Sequence, residues 1–241
     1  MGQLYAITPF TQLDYPGELA CIAWFSGCNL RCVYCHNPNI VLNRGQKDDR
    51  DLIAFLEKRQ GLLTGVVFSG GEATFCASLP KLVRQAKTLG YKTKLDTNGT
   101  HPAMLRELVS AHILDAIALD YKCPPSGTKK LLGTTYYETA FYESLSYLIE
   151  ESHRDNIQLE IRTTCHPSYV STQDVAWIID DLDQRHYQGT YWLQNIVATD
   201  ENTLGNIGVP PHPLNIQELP SPKNFTLGSR NFFPPVSGDI H

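Results

Sequence analysis

Six short apolar stretches, separated by amphipathic ones, set the first reading of this chain. Leu19–Ser26, Gly65–Ser69, Tyr91–Asp96, Ala116–Asp120, Gln158–Thr163 and Tyr191–Val197 are each apolar or β-branched and are bounded by polar or glycine residues. That pattern predicts strands. Between them apolar residues recur at helical spacing. In Asp51–Gln60 they fall at Leu52, Ile53, Phe55 and Leu56, and Leu79–Leu89, Pro102–Ser110, Tyr137–Glu151 and Thr172–Arg185 behave alike. Pro102 suits a first helical turn, where its missing N–H costs nothing. Asp174, Asp180, Asp181 and Asp183 form the polar side of the last helix.

Strands alternating with crossover helices give a parallel sheet. Six units rather than eight predict an α/β fold, an open partial (β/α)6 barrel. Its chemistry is expected at the C-terminal ends of the strands. Residues 1–200 are expected to form this core. The segment 201–241 carries Pro210, Pro211, Pro213, Pro220, Pro222, Pro234 and Pro235 among Gly, Asn and Ser. It cannot continue the barrel pattern and is expected to be an irregular C-terminal extension, with a strand hinted only at Asn224–Leu227.

Composition narrows the function classes. The 241 residues carry a net charge of −5 with no long basic run, which argues against nucleic acid as a partner. No apolar stretch is long enough to span a bilayer and the start lacks a signal-peptide pattern, so no membrane role is expected. Seven cysteines without regular spacing point to a reducing cytoplasm rather than a disulfide framework. Cys21, Cys76, Cys123 and Cys165 read as buried, inert thiols.

Cys28, Cys32 and Cys35 read differently. They form a CxxxCxxC run directly after the first predicted strand. Three closely spaced thiolates on a loop can hold three corners of a [4Fe–4S] cluster and leave the fourth iron open to a small ligand. A zinc site using the same cysteines and His36 is the competing reading. Zinc ligands usually come as two separated pairs, and adjacent Cys35 and His36 would be a strained pair.

The run, with Tyr34 before its last cysteine, resembles the radical S-adenosylmethionine (radical SAM) superfamily. Asp14-Tyr-Pro-Gly17, Gly27-Cys-Asn-Leu-Arg-Cys32 and Tyr34-Cys-His-Asn-Pro38 resemble the activating enzymes of glycyl-radical enzymes, and most of all the anaerobic ribonucleotide reductase activating proteins. The similarity runs from about residue 10 to about residue 197. It implies the superfamily's partial barrel, one [4Fe–4S] cluster on Cys28, Cys32 and Cys35, and S-adenosylmethionine beside Tyr34. No cysteine lies between Cys35 and Gly70, where relatives with extra clusters carry more.

Further roles follow from the same resemblance. Gly70-Gly71-Glu72 is expected to receive the amino group of the methionine moiety, although the proline that usually follows is Ala73 here. Asp96-Thr97-Asn98-Gly99 and Asp120-Tyr121-Lys122 resemble the DTNG and D-x-K motifs. Asp96 and Asp120 would then build a monovalent cation site beside the cofactor, with Asn98 nearby, and Lys122 would reach the active site. Like charges on neighbouring strands need a cation or Lys122 between them. Arg162 is assigned to the S-adenosylmethionine carboxylate, which a guanidinium can hold with two parallel hydrogen bonds. Asp14, expected at the barrel mouth, would help receive the partner's glycine-bearing loop. No histidine occurs from Gln188 to Gly208, where pyruvate formate-lyase activases have one, which leans toward the ribonucleotide reductase branch.

The implied reaction is reductive cleavage of S-adenosylmethionine to methionine and a 5′-deoxyadenosyl radical, which abstracts hydrogen from a backbone glycine of a glycyl-radical enzyme. It implies a low-potential donor such as a flavodoxin. Two alternatives stay open: a radical SAM enzyme acting on a small molecule, of the 7-carboxy-7-deazaguanine synthase type, and a non-catalytic iron–sulfur or zinc module. Cys35-His-Asn-Pro38 argues against the first. The second makes the GGE, DTNG and Arg162 features coincidences.

Overall fold

The computed structural model describes residues 3–135, 137–196, 203–208, 210 and 212–232. Its strands form one sheet in the order β1 to β8. The six expected strands are present as β2 (Ala20–Phe25), β3 (Gly65–Gly70), β4 (Lys92–Thr97), β5 (Ala116–Asp120), β6 (Gln158–Cys165) and β7 (Thr190–Asn195), each paired in parallel with the next. Val197, expected at the end of the last strand, lies outside the described residues.

Two strands extend this core. β1 (Leu4–Thr11) pairs antiparallel with β2, with a register shift between Thr8 and Thr11. Pro9 removes a backbone donor there, and an edge strand with a bulge tolerates that loss. β8 (Thr226–Arg230) lies in the extension and pairs in parallel with β7. The extension is therefore not wholly irregular: its strand begins two residues later than the hint at Asn224–Leu227. The sheet remains open between β1 and β8, as an open partial barrel requires.

The helices pack outside the sheet. They are α1 (Pro38–Leu42), α2 (Asp49–Arg59), α3 (Leu79–Thr88), α4 (Pro102–Ser110), α5 (Thr128–Leu132), α6 (Tyr137–His153) and α7 (Thr172–Gln184). α1 and α5 have five residues each, too short for periodicity to reveal. Reciprocal capping boxes start α2 at Asp48 with Asp51 and α7 at Ser171 with Asp174, each cap worth about 1 kcal/mol. Among the described residues no helix is long and apolar enough to cross a membrane.

The two faces of the sheet differ. Leu95, Ile117, Leu119, Ile161, Tyr191 and Leu193 are buried in the main core that the helices complete. A small separate cluster of Tyr15, Ala20, Ile22, Val67 and Ala116 fills only the lower part of the interior, at the N-terminal ends of the strands. Above it the inner side carries charge: Lys94 and Asp96 on β4, Asp120 on β5, Glu160 and Arg162 on β6. A closed barrel is normally filled by layers of apolar side chains. This one keeps hollows at both ends, separated by an ion network.

Candidate functional site

The upper hollow has a volume of about 260 Å³ and opens at the C-terminal ends of β2 to β7. Cys28, Cys32 and Cys35 line it, as do Tyr34, Gly70, Gly71, Glu72, Asp96, Asn98, Asp120, Lys122 and Arg162. Every residue expected at the site from the sequence therefore faces this hollow, except Asp14.

The cysteine loop is held from several sides. Gly27 N–H donates to Ile40 O (2.8 Å), and Val33 N–H to Leu131 O of α5 (3.0 Å). The extension adds a strap: Leu204 N–H donates to Cys35 O (3.0 Å) and Gly205 N–H to Val33 O (2.9 Å). Burial pushes the Cys28 thiol up to about 12 and the Cys32 thiol up to about 11. Were these thiols to bind iron, their deprotonation would be coupled to it. Among the described residues no group of three or more His, Cys, Asp or Glu side chains is placed to hold a single metal ion. Three thiols that line one hollow suit a [4Fe–4S] cluster, in which each cysteine would hold a different iron.

Gly70-Gly71-Glu72 is zipped to that loop through its backbone. Gly71 N–H donates to Phe25 O (2.8 Å) and Glu72 N–H to Gly27 O (2.9 Å). Gly70 has φ of +134°, and a Cβ on Gly71 would lie 2.0 Å from Gly27 O. Glycine is required at both, for conformation at the first and for close approach at the second. Gly71→Ala should push the cysteine loop outward, lower the melting temperature and strongly reduce cofactor cleavage; an alanine variant with wild-type melting and turnover would count against this role.

The Glu72 carboxylate does not project freely into the hollow. It is 2% exposed and accepts from Thr74 Oγ1 (2.6 Å), Thr97 Oγ1 (2.7 Å), Thr74 N–H (3.2 Å) and Asn98 N–H (2.7 Å). Burial pushes its pKa up, while these donated bonds pull the other way. Glu72 thus ties the end of β3 to the end of β4, and the partners that satisfy it give no signal in the GGE motif alone.

Arg162 lies between the two aspartates. Its Nε donates to Asp120 Oδ1 (3.0 Å), and Nη1 stands 3.5 Å from Asp96 Oδ2 and 3.9 Å from Glu160. The positive charge expected between Asp96 and Asp120 is therefore supplied by this guanidinium and by Lys122, whose Nζ is 2.8 Å from Asp120 Oδ2. Lys94 donates to Glu160 (2.8 Å) from below. Burial raises the Asp120 pKa, but Arg162 and Lys122 outweigh it and hold the carboxyl below its ordinary value. For Asp96 burial wins and its pKa is raised. Asp96 Oδ1 is buried with no hydrogen-bond partner among the described residues. Lys94 Nζ stands 4.0 Å from that oxygen, an ion pair without a hydrogen bond.

Lys94 and Glu160 were not singled out from the sequence. Their signal was charge at alternate positions, Lys94 with Asp96 and Glu160 with Arg162, inside otherwise buried strands. Lys122 Nζ also stands 5.9 Å from the centre of the Tyr34 ring, so Tyr34 forms a buried wall beneath the lysine.

Asp14 is elsewhere. It follows β1 and precedes β2, so it lies at the N-terminal ends of the strands, opposite the cysteines, and not at the mouth where they sit. Its carbonyl accepts from Lys94 Nζ (2.7 Å) and its carboxylate from the Thr11 hydroxyl. Beside it opens the larger lower hollow of about 550 Å³, lined by Tyr15, Pro16, Lys94, Glu160, Trp192 and Arg230 among others. Arg230, from β8, stacks over the Trp192 ring at 4.0 Å.

Residues 22–168 match the radical SAM superfamily, more than half of the chain. A provisionally named glycyl-radical enzyme activating enzyme from Methanocaldococcus jannaschii is 30% identical over 185 residues, which cover 73% of this chain and 75% of that protein. The pyruvate formate-lyase 1-activating enzyme of Escherichia coli K12 is 27% identical over 187 residues, covering 73% of this chain and 72% of that one. The crystal structure of Streptococcus suis SuiB bound to S-adenosylmethionine superposes with a TM-score of 0.62 at 13% identity, over 85% of this chain and 48% of that one, a likeness of fold. The chain belongs to the radical SAM superfamily, among the activating enzymes of glycyl-radical enzymes.

Proposed function

We propose that this chain installs a glycyl radical on anaerobic ribonucleoside-triphosphate reductase. The observation that carries the reading is the convergence of three thiols, the GGE and DTNG turns, Asp120, Lys122 and Arg162 on one hollow, in a chain similar over most of its length to glycyl-radical activating enzymes. Cys28, Cys32 and Cys35 hold the [4Fe–4S] cluster. Gly70 and Gly71 let the backbone approach the methionine moiety of S-adenosylmethionine, while Arg162 and Lys122 offer positive charge to its carboxylate. When bound, cluster and cofactor supply the radical chemistry; the protein supplies position and exclusion of side reactions. A flavodoxin-like, low-potential protein delivers the electron.

The partner's glycine has to touch the radical, so its loop enters the upper hollow from the C-terminal ends of the strands, where the cysteines, Lys122 and Arg162 sit. The layer of Lys94, Glu160 and Arg162 closes the barrel beneath the cofactor, and Asp14 lies on its far side. The upper opening admits a loop that carries a backbone glycine. A metabolite enzyme needs a pocket closed against water to protect its radical.

The test is isotopic. Purified anaerobic reductase deuterated at the target glycine Cα is mixed with this protein, reductant and S-adenosylmethionine. Deuterium should appear in 5′-deoxyadenosine and a glycyl EPR doublet on the reductase. Transfer to pyruvate formate-lyase but not to the reductase would change the target. Turnover of a small metabolite, with no label from any glycyl-radical partner, would overturn the reading.

A further inference from the structure

A closed ring of hydrogen bonds joins the cysteine loop to the end of β4. Asn98 Nδ2 donates to Asn29 Oδ1 (3.0 Å), Asn29 Nδ2 to Thr100 Oγ1 (2.8 Å), and Thr100 Oγ1 to Asn98 Oδ1 (2.6 Å). The Thr100 backbone N–H also donates to Asn98 Oδ1 (3.0 Å). A backbone N–H can only donate, so this bond fixes which end of the Asn98 amide is oxygen. The NH₂ end must then face the cysteine loop, and it lies 3.8 Å from Cys28 Sγ. Leu30 N–H is the other donor to that sulfur, at 3.4 Å. Asn98 is itself 5% exposed, and its backbone N–H is held by Glu72 at 2.7 Å. Both the side chain and the backbone it hangs from are thus fixed.

We infer that Asn98 is a positioning residue whose amide, aimed by the Asn29–Thr100 ring, tunes the reduction potential of the cluster held by Cys28. The inference rests on the proposal that Cys28 is a cluster ligand. A hydrogen bond to a cluster sulfur favours the reduced state, which carries one more negative charge, and so raises the potential. Burial strengthens the effect, because little water competes for the sulfur. The amide therefore sets how readily the donor's electron is accepted, which is a role distinct from contact with S-adenosylmethionine.

The experiment is an anaerobic redox titration of the cluster-loaded protein without S-adenosylmethionine, read by EPR of the reduced cluster, with iron content measured on the same samples. For Asn98→Ala the ratio of reduced to oxidised cluster at a fixed potential should fall about tenfold, which for a one-electron couple is about 59 mV downward. Iron per chain should match the wild type. Thr100→Val removes the hydroxyl that closes the ring but keeps the Asn98 amide; its ratio should fall in the same direction by less. If Asn98→Ala loads too little iron to titrate, Thr100→Val carries the same test. A fully loaded variant whose reduced fraction equals or exceeds the wild type at every potential overturns the inference. A Cys28→Ala protein that keeps a complete cluster with wild-type potential overturns the parent proposal instead.

Discussion

Replacing Cys28, Cys32 or Cys35 by alanine is expected to abolish 5′-deoxyadenosine formation. Each thiolate is proposed to hold one iron of the cluster, and the other walls of the hollow offer no spare thiol: Cys123 and Cys165 are buried and do not line it. Loss of one ligand therefore cannot be made good by a neighbour. Alanine at Cys21, Cys76, Cys123 or Cys165 should leave iron content unchanged and cost only a small packing loss, because a thiol-to-methyl change removes one buried atom. Iron and acid-labile sulfide analysis, with chromatography of 5′-deoxyadenosine, reads both sets. A Cys32→Ala protein that still cleaves the cofactor at the wild-type rate would refute the site.

The order β2 to β7 was legible because each strand is buried on one or both faces, and its run of apolar residues is interrupted by clear turn signals. β1 was hidden by Pro9 and by partial exposure along its length. β8 was only hinted at, at Asn224–Leu227, because its approach is proline-rich with no helix to announce a crossover; the described part of its connection holds only a single 3-10 turn, Ile216–Glu218. Most of the site was legible from motif spacing, since each motif ends a strand. Two things were not. Position around the barrel decided Asp14: a segment that precedes a parallel strand must lie at the end opposite the chemistry. Partnership decided Glu72 and Arg162. Sequence marks a carboxylate or guanidinium as available, but only the fold reveals that Thr74, Thr97 and Asn98 occupy the first and Asp96 and Asp120 the second.

That occupancy makes Arg162 the charge whose removal should matter most outside the cysteines. Arg162→Ala would leave Asp120 without its nearest guanidinium and Asp96 without its main attraction. Truncating one partner of a buried pair costs about 3–5 kcal/mol where the remaining charge is left unpaired; Lys122 still pairs with Asp120, so the cost falls mainly on Asp96. S-adenosylmethionine affinity should fall tenfold or more, since a charge-assisted contact is worth ~1.5–3 kcal/mol. Arg162→Lys keeps the charge but cannot span both carboxylates, so it should lose less stability. The pH dependence separates this from a simple packing defect. In the wild type the Asp120 pKa is held down, so its stabilisation is present above the unfolded value, ~3.9, and is lost only as pH falls through the lower folded value. Without Arg162, Lys122 still holds Asp120, but Asp96, whose pKa burial already raises, loses its main attraction and should rise further. The variant is then most penalised at neutral pH and recovers as pH falls through that raised value. The stability gap between wild type and Arg162→Ala should therefore narrow from pH ~7 toward pH ~5 in anaerobic urea titrations. Asp96→Asn in the Arg162→Ala background should restore part of the loss, a coupling that a double-mutant cycle measures. A gap that stays constant with pH, together with unchanged cofactor affinity, would show that Arg162 neither pairs the aspartates in solution nor serves the cofactor.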